Sequence, residues 1–405
     1  MSSLETKQPR HRIDYVDGLR ALAVLTVLLS HVATHAKLTG VASHLLVEGA
    51  HGVDLFFVIS GFCLAFPTLA KVRSGLPASF DVADFGAKRL VRIVPPFYIA
   101  TIVLLLFDIL PHLFARHAFP EGLPDARSLV ASLLFLDGNV QLLNGSFWTL
   151  MVEFRWYFLF PLMLWLWLRS PRGFLTAGVA SMLLYQFTRA RGLDFGTLPG
   201  FMLGIVAADL HLAGERTARW GPHVRRWALW CVVPCALLGV AVKPGATIPG
   251  FYGSDVRFAY QPTILGWQLA VFALVVASGA NRLLRRLLSA RVLVATGIAS
   301  YAIYLVHEPA IAFVEGHVHG LGGAVAAGFL AIAAGFAFWA MAERPFTTGS
   351  LRAPLLVAAQ RLVARALAFG GIRRTIPLAV PATTPVVSED YASSRFALAA
   401  PSSPT

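Results

Sequence analysis

Between Gly18 and Ala36 lies an apolar run long enough to cross a bilayer, and inside it stand an arginine and a histidine, Arg20 and His31. Hydrocarbon rejects both groups, so a run that keeps them must turn them toward protein or water. On an α-helix eleven steps of about 100° make three turns and roughly 20°, which puts the two side chains on one face. They stand about 16 Å apart along the axis, near half the thickness of a bilayer core. Asp17 and His35 fall on nearly the same stripe. Each residue alone has an ordinary explanation, with Arg20 snorkelling to headgroups and His31 bonding a neighbouring helix. A stripe of four polar groups on one spanning helix points instead to a buried polar path.

Further apolar runs of crossing length follow at Gly49–Ala70, Ile93–Phe114, Phe147–Leu168, Gly173–Thr188 and Phe195–Ala213. Four more lie at Trp227–Val242, Pro262–Ala280, Val292–Val314 and Gly322–Ala342. The expected fold is therefore an all-α polytopic membrane protein with about ten transmembrane helices. The fifth and sixth runs are short and Gly-rich, and Leu129–Leu143 is too interrupted to cross, which suits a re-entrant or interfacial piece. At 405 residues a soluble chain would form two or three domains, but 57% hydrophobic and 14% charged residues place this one in the membrane class. The net charge of +13 is not a nucleic-acid signature, because the basic residues sit in short clusters between apolar runs.

Those clusters set the orientation. One set of loops holds 18 Lys and Arg residues (Lys7 to Arg12, Lys71 to Arg92, Arg169 and Arg172, Arg216 to Arg226, Arg282 to Arg291), and the alternate loops hold 7. The positive-inside rule places the richer side, with both termini, in the cytoplasm, and the partner surface is membrane lipid. Residues 1–17 read as a cytoplasmic lead, 18–346 as the membrane domain, and 347–405 as an amphipathic segment followed by a tail. Leu351–Phe369 sets Arg352, Arg361 and Arg365 among apolar residues, as a helix on the inner leaflet would. From Thr375 the Pro, Ser, Thr and Ala content predicts disorder. Cys63, Cys231 and Cys235 lie inside apolar runs and form neither a disulfide framework nor a zinc pattern.

Five stretches in order carry a resemblance: DGLRALAVLTVLLSH (Asp17–His31), GVDLFFVISGF (Gly52–Phe62), KRLVRIVPPFY (Lys88–Tyr98), FWTLMVEFRWYFLFPL (Phe147–Leu162) and SYAIYLVHEP (Ser300–Pro309). Together they resemble the membrane-bound acyltransferase 3 family, whose members O-acylate sugars, polysaccharides and some macrolides, over about Tyr15–Phe346. The resemblance implies an acyl-CoA donor, acetyl-CoA or similar, reached from the cytoplasm, and a glycan or glycoside acceptor. It makes Arg20, Arg89 and Arg92 the donor-binding residues, since Arg forks suit phosphates. The bland alternative is that Lys88, Arg89 and Arg92 only enforce topology.

His31 becomes the catalytic residue, as base for an acceptor hydroxyl or as transient acyl carrier. Glu153 would orient or charge-stabilise the imidazole or act as a second base, unless it merely pairs with Arg155 or another cation in a structural role. Asp54 and Ser60 are expected to line the same cavity, although Asp54 can instead cap its helix or pair with Arg20. Trp148, Ser300, Tyr304 and His307 are the expected acceptor-binding residues. No metal is expected, because no His and carboxylate cluster has ligand spacing.

Two departures stand out. Thr149, Met151, Phe154 and Arg155 occupy a region where many members have serines and a second acid. Many members also carry a fused extracytoplasmic hydrolase-like domain, so here a separate transferase partner is expected or the membrane part acts alone. The rival readings are a macrolide or other small-glycoside acceptor and, in a different class, a proton-coupled secondary transporter relaying through Arg20, His31 and Glu153. The expected location is an inner membrane.

Overall fold

A computed structural model describes residues 13–37, 40–75, 79–115, 126–136, 144–188, 195–213, 221–241, 256–318 and 320–378. The basic lead (Lys7, Arg10, Arg12), several loop cations (Arg116, Arg189, Arg191, Arg216, Arg219, Lys243) and the tail beyond 378 lie outside the described residues. The first helices are α1 (Asp14–His35), a short α2 (Val41–Val47) and α3 (Gly52–Arg73). After strand β1 (Ser79–Asp81) come α4 (Val82–Ala115), α5 (Ala126–Leu133), α6 (Phe147–Arg169) and α7 (Pro171–Thr188). Then follow α8 (Leu198–Ala213), α9 (Gly221–Ala241), α10 (Val256–Ala280), α11 (Arg282–Leu288), α12 (Arg291–Ile298) and α13 (Ser300–Glu315). The chain closes with α14 (Gly320–Phe338), a π turn (Trp339–Glu343), α15 (Arg344–Thr347), α16 (Arg352–Phe369) and β2 (Thr375–Pro377).

Among the described residues seven helices are long and apolar enough to cross a membrane, and eight if α12 and α13 make one crossing. The fold is thus a polytopic helical membrane protein. Of the ten expected crossings, Gly173–Thr188 and Trp227–Val242 correspond to α7 and α9, which fall short of that combined length and hydropathy. The expected crossing Val292–Val314 is broken, because α12 and α13 meet at 75°.

Long-range contacts show which helix ends share a side. At one end Tyr15 Oη meets His211 Nδ1 at 3.0 Å, and Arg73 binds Asp209 through two hydrogen bonds of 2.8 and 2.6 Å. With Gly279 of α10 against His211 and Tyr15, the start of α1 and the ends of α3, α8 and α10 therefore lie together, beside the basic clusters. At the far end His35 Nδ1 lies 3.2 Å from Glu315 Oε2, joining the ends of α1 and α13.

In lipid, apolar burial inserts helices but does little to associate them, so pairing relies on close packing. α3 and α8 cross by glycines. A Cβ at Gly61 would stand 2.0 Å from the Phe201 carbonyl oxygen, and one at Gly204 2.1 Å from that of Val58. Around this crossing Phe62, Phe160, Phe201 and Ile59 are fully buried.

The segment from Thr375 differs from the expected disorder at its first residues: β2 pairs antiparallel with β1, with Phe80 opposite Ile376. Cross-strand pairing to a distant segment overrides the local composition there.

Candidate active site

Three helix starts converge near the basic end. α1 brings Arg20, α4 brings Arg89 and Arg92, and α13 brings Ser300, Tyr301 and, one turn on, Tyr304. With Ser60 and Cys63 from α3 and Thr149, Glu153 and Tyr157 from α6 they line one cavity of about 90 Å³.

The cations in this cavity are unequal. Arg20 Nη1 lies 3.3 Å from Asp17 Oδ1, and Nη2 donates to Cys63 Sγ at 3.5 Å. Arg89 rests over the faces of Phe85 and Tyr157, 5.8 and 6.0 Å from the ring centroids, and its buried Nε has no hydrogen-bond partner. Among the described residues neither Arg89 nor Arg92 has a carboxylate at salt-bridge distance. Three guanidinium groups against one cavity carboxylate, Glu153, leave an excess of positive charge at a low-dielectric wall, which suits an anion.

Glu153 stays within this cavity. Its Oε1 accepts from Ser60 Oγ at 2.5 Å and from Tyr157 Oη at 2.6 Å, while Arg155 donates to the Leu136 carbonyl at 2.7 Å. The expectation that Glu153 orients His31 is corrected: the carboxylate of α6 faces the arginines, and the imidazole has another partner.

That partner is Glu308. His31 Nδ1 lies 3.1 Å from Glu308 Oε1, about three turns farther along α1 than Arg20. Glu308 also accepts from Ser146 Oγ through Oε1 and from the Gly145 backbone N–H through Oε2, each at 2.6 Å. With its Nδ1–H donated to the carboxylate, His31 keeps Nε2 free to accept a proton. His307 packs edge-on against it, ring centroids 5.0 Å apart. Its Nδ1 can only donate to the Tyr304 carbonyl 2.8 Å away, which leaves Nε2 unprotonated and 3.5 Å from Ser146 Oγ, whose own proton goes to Glu308.

A polar layer separates the two parts. Tyr304 Oη lies 2.6 Å from Thr149 Oγ1 and donates to the Ser146 carbonyl at 3.0 Å, while Phe56 packs edge-on against the Tyr304 ring. Tyr304 and Thr149 line the arginine cavity on one side, and Tyr304 touches the His307 ring on the other.

Of the residues expected at the site, Arg20, Ser60, Arg89, Arg92, Glu153, Ser300 and Tyr304 meet in the cavity. His31 and His307 meet beyond it. Asp54 does not join them: its Oδ2 accepts from His51 Nδ1 at 2.8 Å, and Gln268 Nε2 donates to its Oδ1 at 3.4 Å, tying the start of α3 to α10. It neither lines the cavity nor pairs with Arg20, because six residues at about 100° each set it roughly 120° round α3 from Ser60, on the α10 side. Trp148 is half-buried against the apolar core and also stays off the cavity.

Sequence reasoning missed Glu308, Ser146 and Glu343. Glu308 stands inside an apolar run, a signal of the same kind as His31, and Glu343 stands just past the end of one. Glu343, 2% exposed at the π turn, accepts the Ala302 backbone N–H at 3.2 Å and so holds the first turn of α13 at the bend. The fold also gathers His31, His307 and Glu308 with one ligand atom each within 4.8 Å, a cluster that ligand spacing in the sequence did not reveal.

The site is thus an arginine-walled cavity divided by a tyrosine layer from a His–Glu pair, inside a helical membrane bundle. The chain belongs to the acyltransferase 3 family, whose acyltransferase domain matches residues 13–343. It is similar to O-acetyltransferase OatA of Staphylococcus aureus, 24% identical over 329 residues (75% of this chain, 51% of the relative). It is also similar to peptidoglycan O-acetyltransferase OatA of Listeria monocytogenes, 26% identical over 342 residues (76% and 50%). A third relative is acyltransferase MdmB of Streptomyces mycarofaciens, 27% identical over 323 residues (73% and 78%). The chain thus spans about half the length of the two OatA relatives. No solved structure matches it.

Proposed function

We propose that this protein is an inner-membrane O-acyltransferase that moves an acyl group, acetyl by the names of its relatives, from cytoplasmic acyl-CoA to a sugar hydroxyl of an envelope or secreted glycan. The carrying observation is a pair of guanidinium groups, Arg89 and Arg92, with no carboxylate at salt-bridge distance among the described residues, in a cavity that the Tyr304–Thr149 layer divides from the His31–Glu308 pair. In this reading Arg20, Arg89 and Arg92 hold the CoA phosphates, and the thioester reaches past Tyr304 and Thr149. His31 Nε2 takes the proton of the acceptor hydroxyl as its oxygen attacks the thioester carbonyl. The C–S bond breaks, the CoA thiolate leaves, and the proton returns to it. Glu308 holds the imidazole in the tautomer that leaves Nε2 free and stabilises the imidazolium. In this reading the proton transfer runs through His31 and Glu308 alone and draws on no metal.

The test is CoA release from acetyl-CoA, with ester formation on isolated envelope glycan, by the purified protein in lipid vesicles. His31→Ala is expected to abolish both while the protein stays inserted and abundant. Acylation at the wild-type level in that variant would remove His31 from the mechanism.

A further inference from the structure

The matched domain ends at residue 343, yet the chain beyond it is fastened to the wall of the arginine cavity. α16 packs along the first turns of α4, the helix that carries Arg89 and Arg92. Gln360 Nε2 donates to Asp84 Oδ1 at 3.0 Å, and Val363 fits against Gly86 so closely that a Cβ there would stand 3.3 Å from it. β2 then pairs with β1, the strand that leads directly into α4. The Val82 N–H, at the first residue of α4, donates to the Arg374 carbonyl at 2.9 Å. Arg374 Nη2 reaches Asp81 Oδ2 at 3.2 Å.

These ties lead to one place. Phe80, in the middle of β1 and 6% exposed, packs on Phe85 and Phe160 with ring centroids 5.1 and 5.8 Å away. Phe85 stacks on Phe160 at 5.2 Å and is the platform under the Arg89 guanidinium. Arg89 has a buried Nε without a partner, so its aim is set by that platform and by the α4 backbone. The C-terminal segment holds both.

We propose that residues 352–377 form a strap whose role is to position Arg89 for the acyl-CoA donor. The inference rests on the donor-binding reading of the arginine cavity. Strap residues touch no reacting atom; they act through α4 and Phe85. The Asp81 carboxylate is consistent with a working tie: burial works against its charge, but the Asp84 N–H and Arg374 outweigh that and hold its pKa below the ordinary value.

The test measures acetyl-CoA turnover in lipid vesicles for the full chain, for a chain ending at Gly349, and for Gln360→Ala with Arg374→Ala. Each is made with Arg89 intact and with Arg89→Gln. A displaced binding group costs on the order of ten- to a hundred-fold, so the shortened chain is expected to show a KM for acetyl-CoA raised by that much with kcat largely kept. The double variant should shift KM in the same direction by less. In the Arg89→Gln background, shortening should add little further to KM, because the two changes remove one interaction. A KM that the strap variants leave unchanged, or one that shortening raises equally without Arg89, would overturn the inference. If Arg89→Gln in the full chain leaves KM unchanged, it is the donor reading that falls. A merely structural strap would lower the amount of active protein and leave KM where it was.

Discussion

Glu308→Gln separates the site drawn above from the one that the linear order of residues favours. The carboxylate accepts three hydrogen bonds, from His31 Nδ1, Ser146 Oγ and the Gly145 N–H. Glutamine has nearly the same shape but offers one oxygen and a donating nitrogen, so it cannot serve all three. A hydrogen bond to a charged group contributes about 1.5–3 kcal/mol. If His31 loses that bond in the transition state, the rate falls about 10- to 150-fold at roughly 1.36 kcal/mol per decade. An amide nitrogen facing Nδ1 also favours the wrong tautomer, which leaves Nε2 protonated. In a Ser-His-Asp hydrolase the comparable change costs about 10⁴. The predicted fall in kcat therefore lies between about 10² and 10⁴. The KM for acetyl-CoA should stay unchanged, since Glu308 is not part of the arginine cavity wall. Steady-state CoA release across acetyl-CoA concentrations reads both constants, with protein content matched by immunoblot. A kcat within a few-fold of wild type, or a loss confined to KM, would refute the assignment of Glu308 as the partner of His31.

Two further outcomes follow from the same geometry. Arg89→Gln removes one of the two guanidinium groups without a carboxylate partner; at about 1.5–3 kcal/mol per charged contact the KM for acetyl-CoA should rise roughly 10- to 150-fold, and an unchanged KM would take Arg89 out of the donor site. Gly204→Val would drive a Cβ to within 2.1 Å of the Val58 carbonyl oxygen at the α3–α8 crossing; overpacking of that kind costs about 1–3 kcal/mol or more, so the detergent-solubilised protein should melt at a lower temperature, and a wild-type midpoint would mean the crossing is looser than drawn.

What the sequence made legible is what one helix can carry. Arg20 and His31 share a face of α1 because 3.6 residues per turn put them there, and the apolar runs announced a helical bundle. What it hid is what the bundle assembles. Glu153 and Glu308 are both acids inside apolar runs, and nothing along the chain says which one faces His31. The choice is made where the middle of α13 meets the Gly145–Ser146 turn, 162 residues apart in the case of Ser146 and Glu308. Asp54 looked like a cavity residue for the same reason, until α10 supplied Gln268 on its other side.

The bend at Ala299 was equally hidden. It depends on Gly297, where a Cβ would stand 1.8 Å from the Asp17 carbonyl oxygen, and on Glu343 reaching back to the Ala302 amide. The bend has a functional consequence: it is what brings Ser300, Tyr301 and Tyr304 to the cavity while sending His307 and Glu308 up to His31. A straight helix through 291–315 would put neither group where it stands. The carboxylate that fixes the bend lies in the π turn that follows α14, so the first turn of α13, and with it the register of the arginine cavity and the His–Glu pair, is held from the end of that helix.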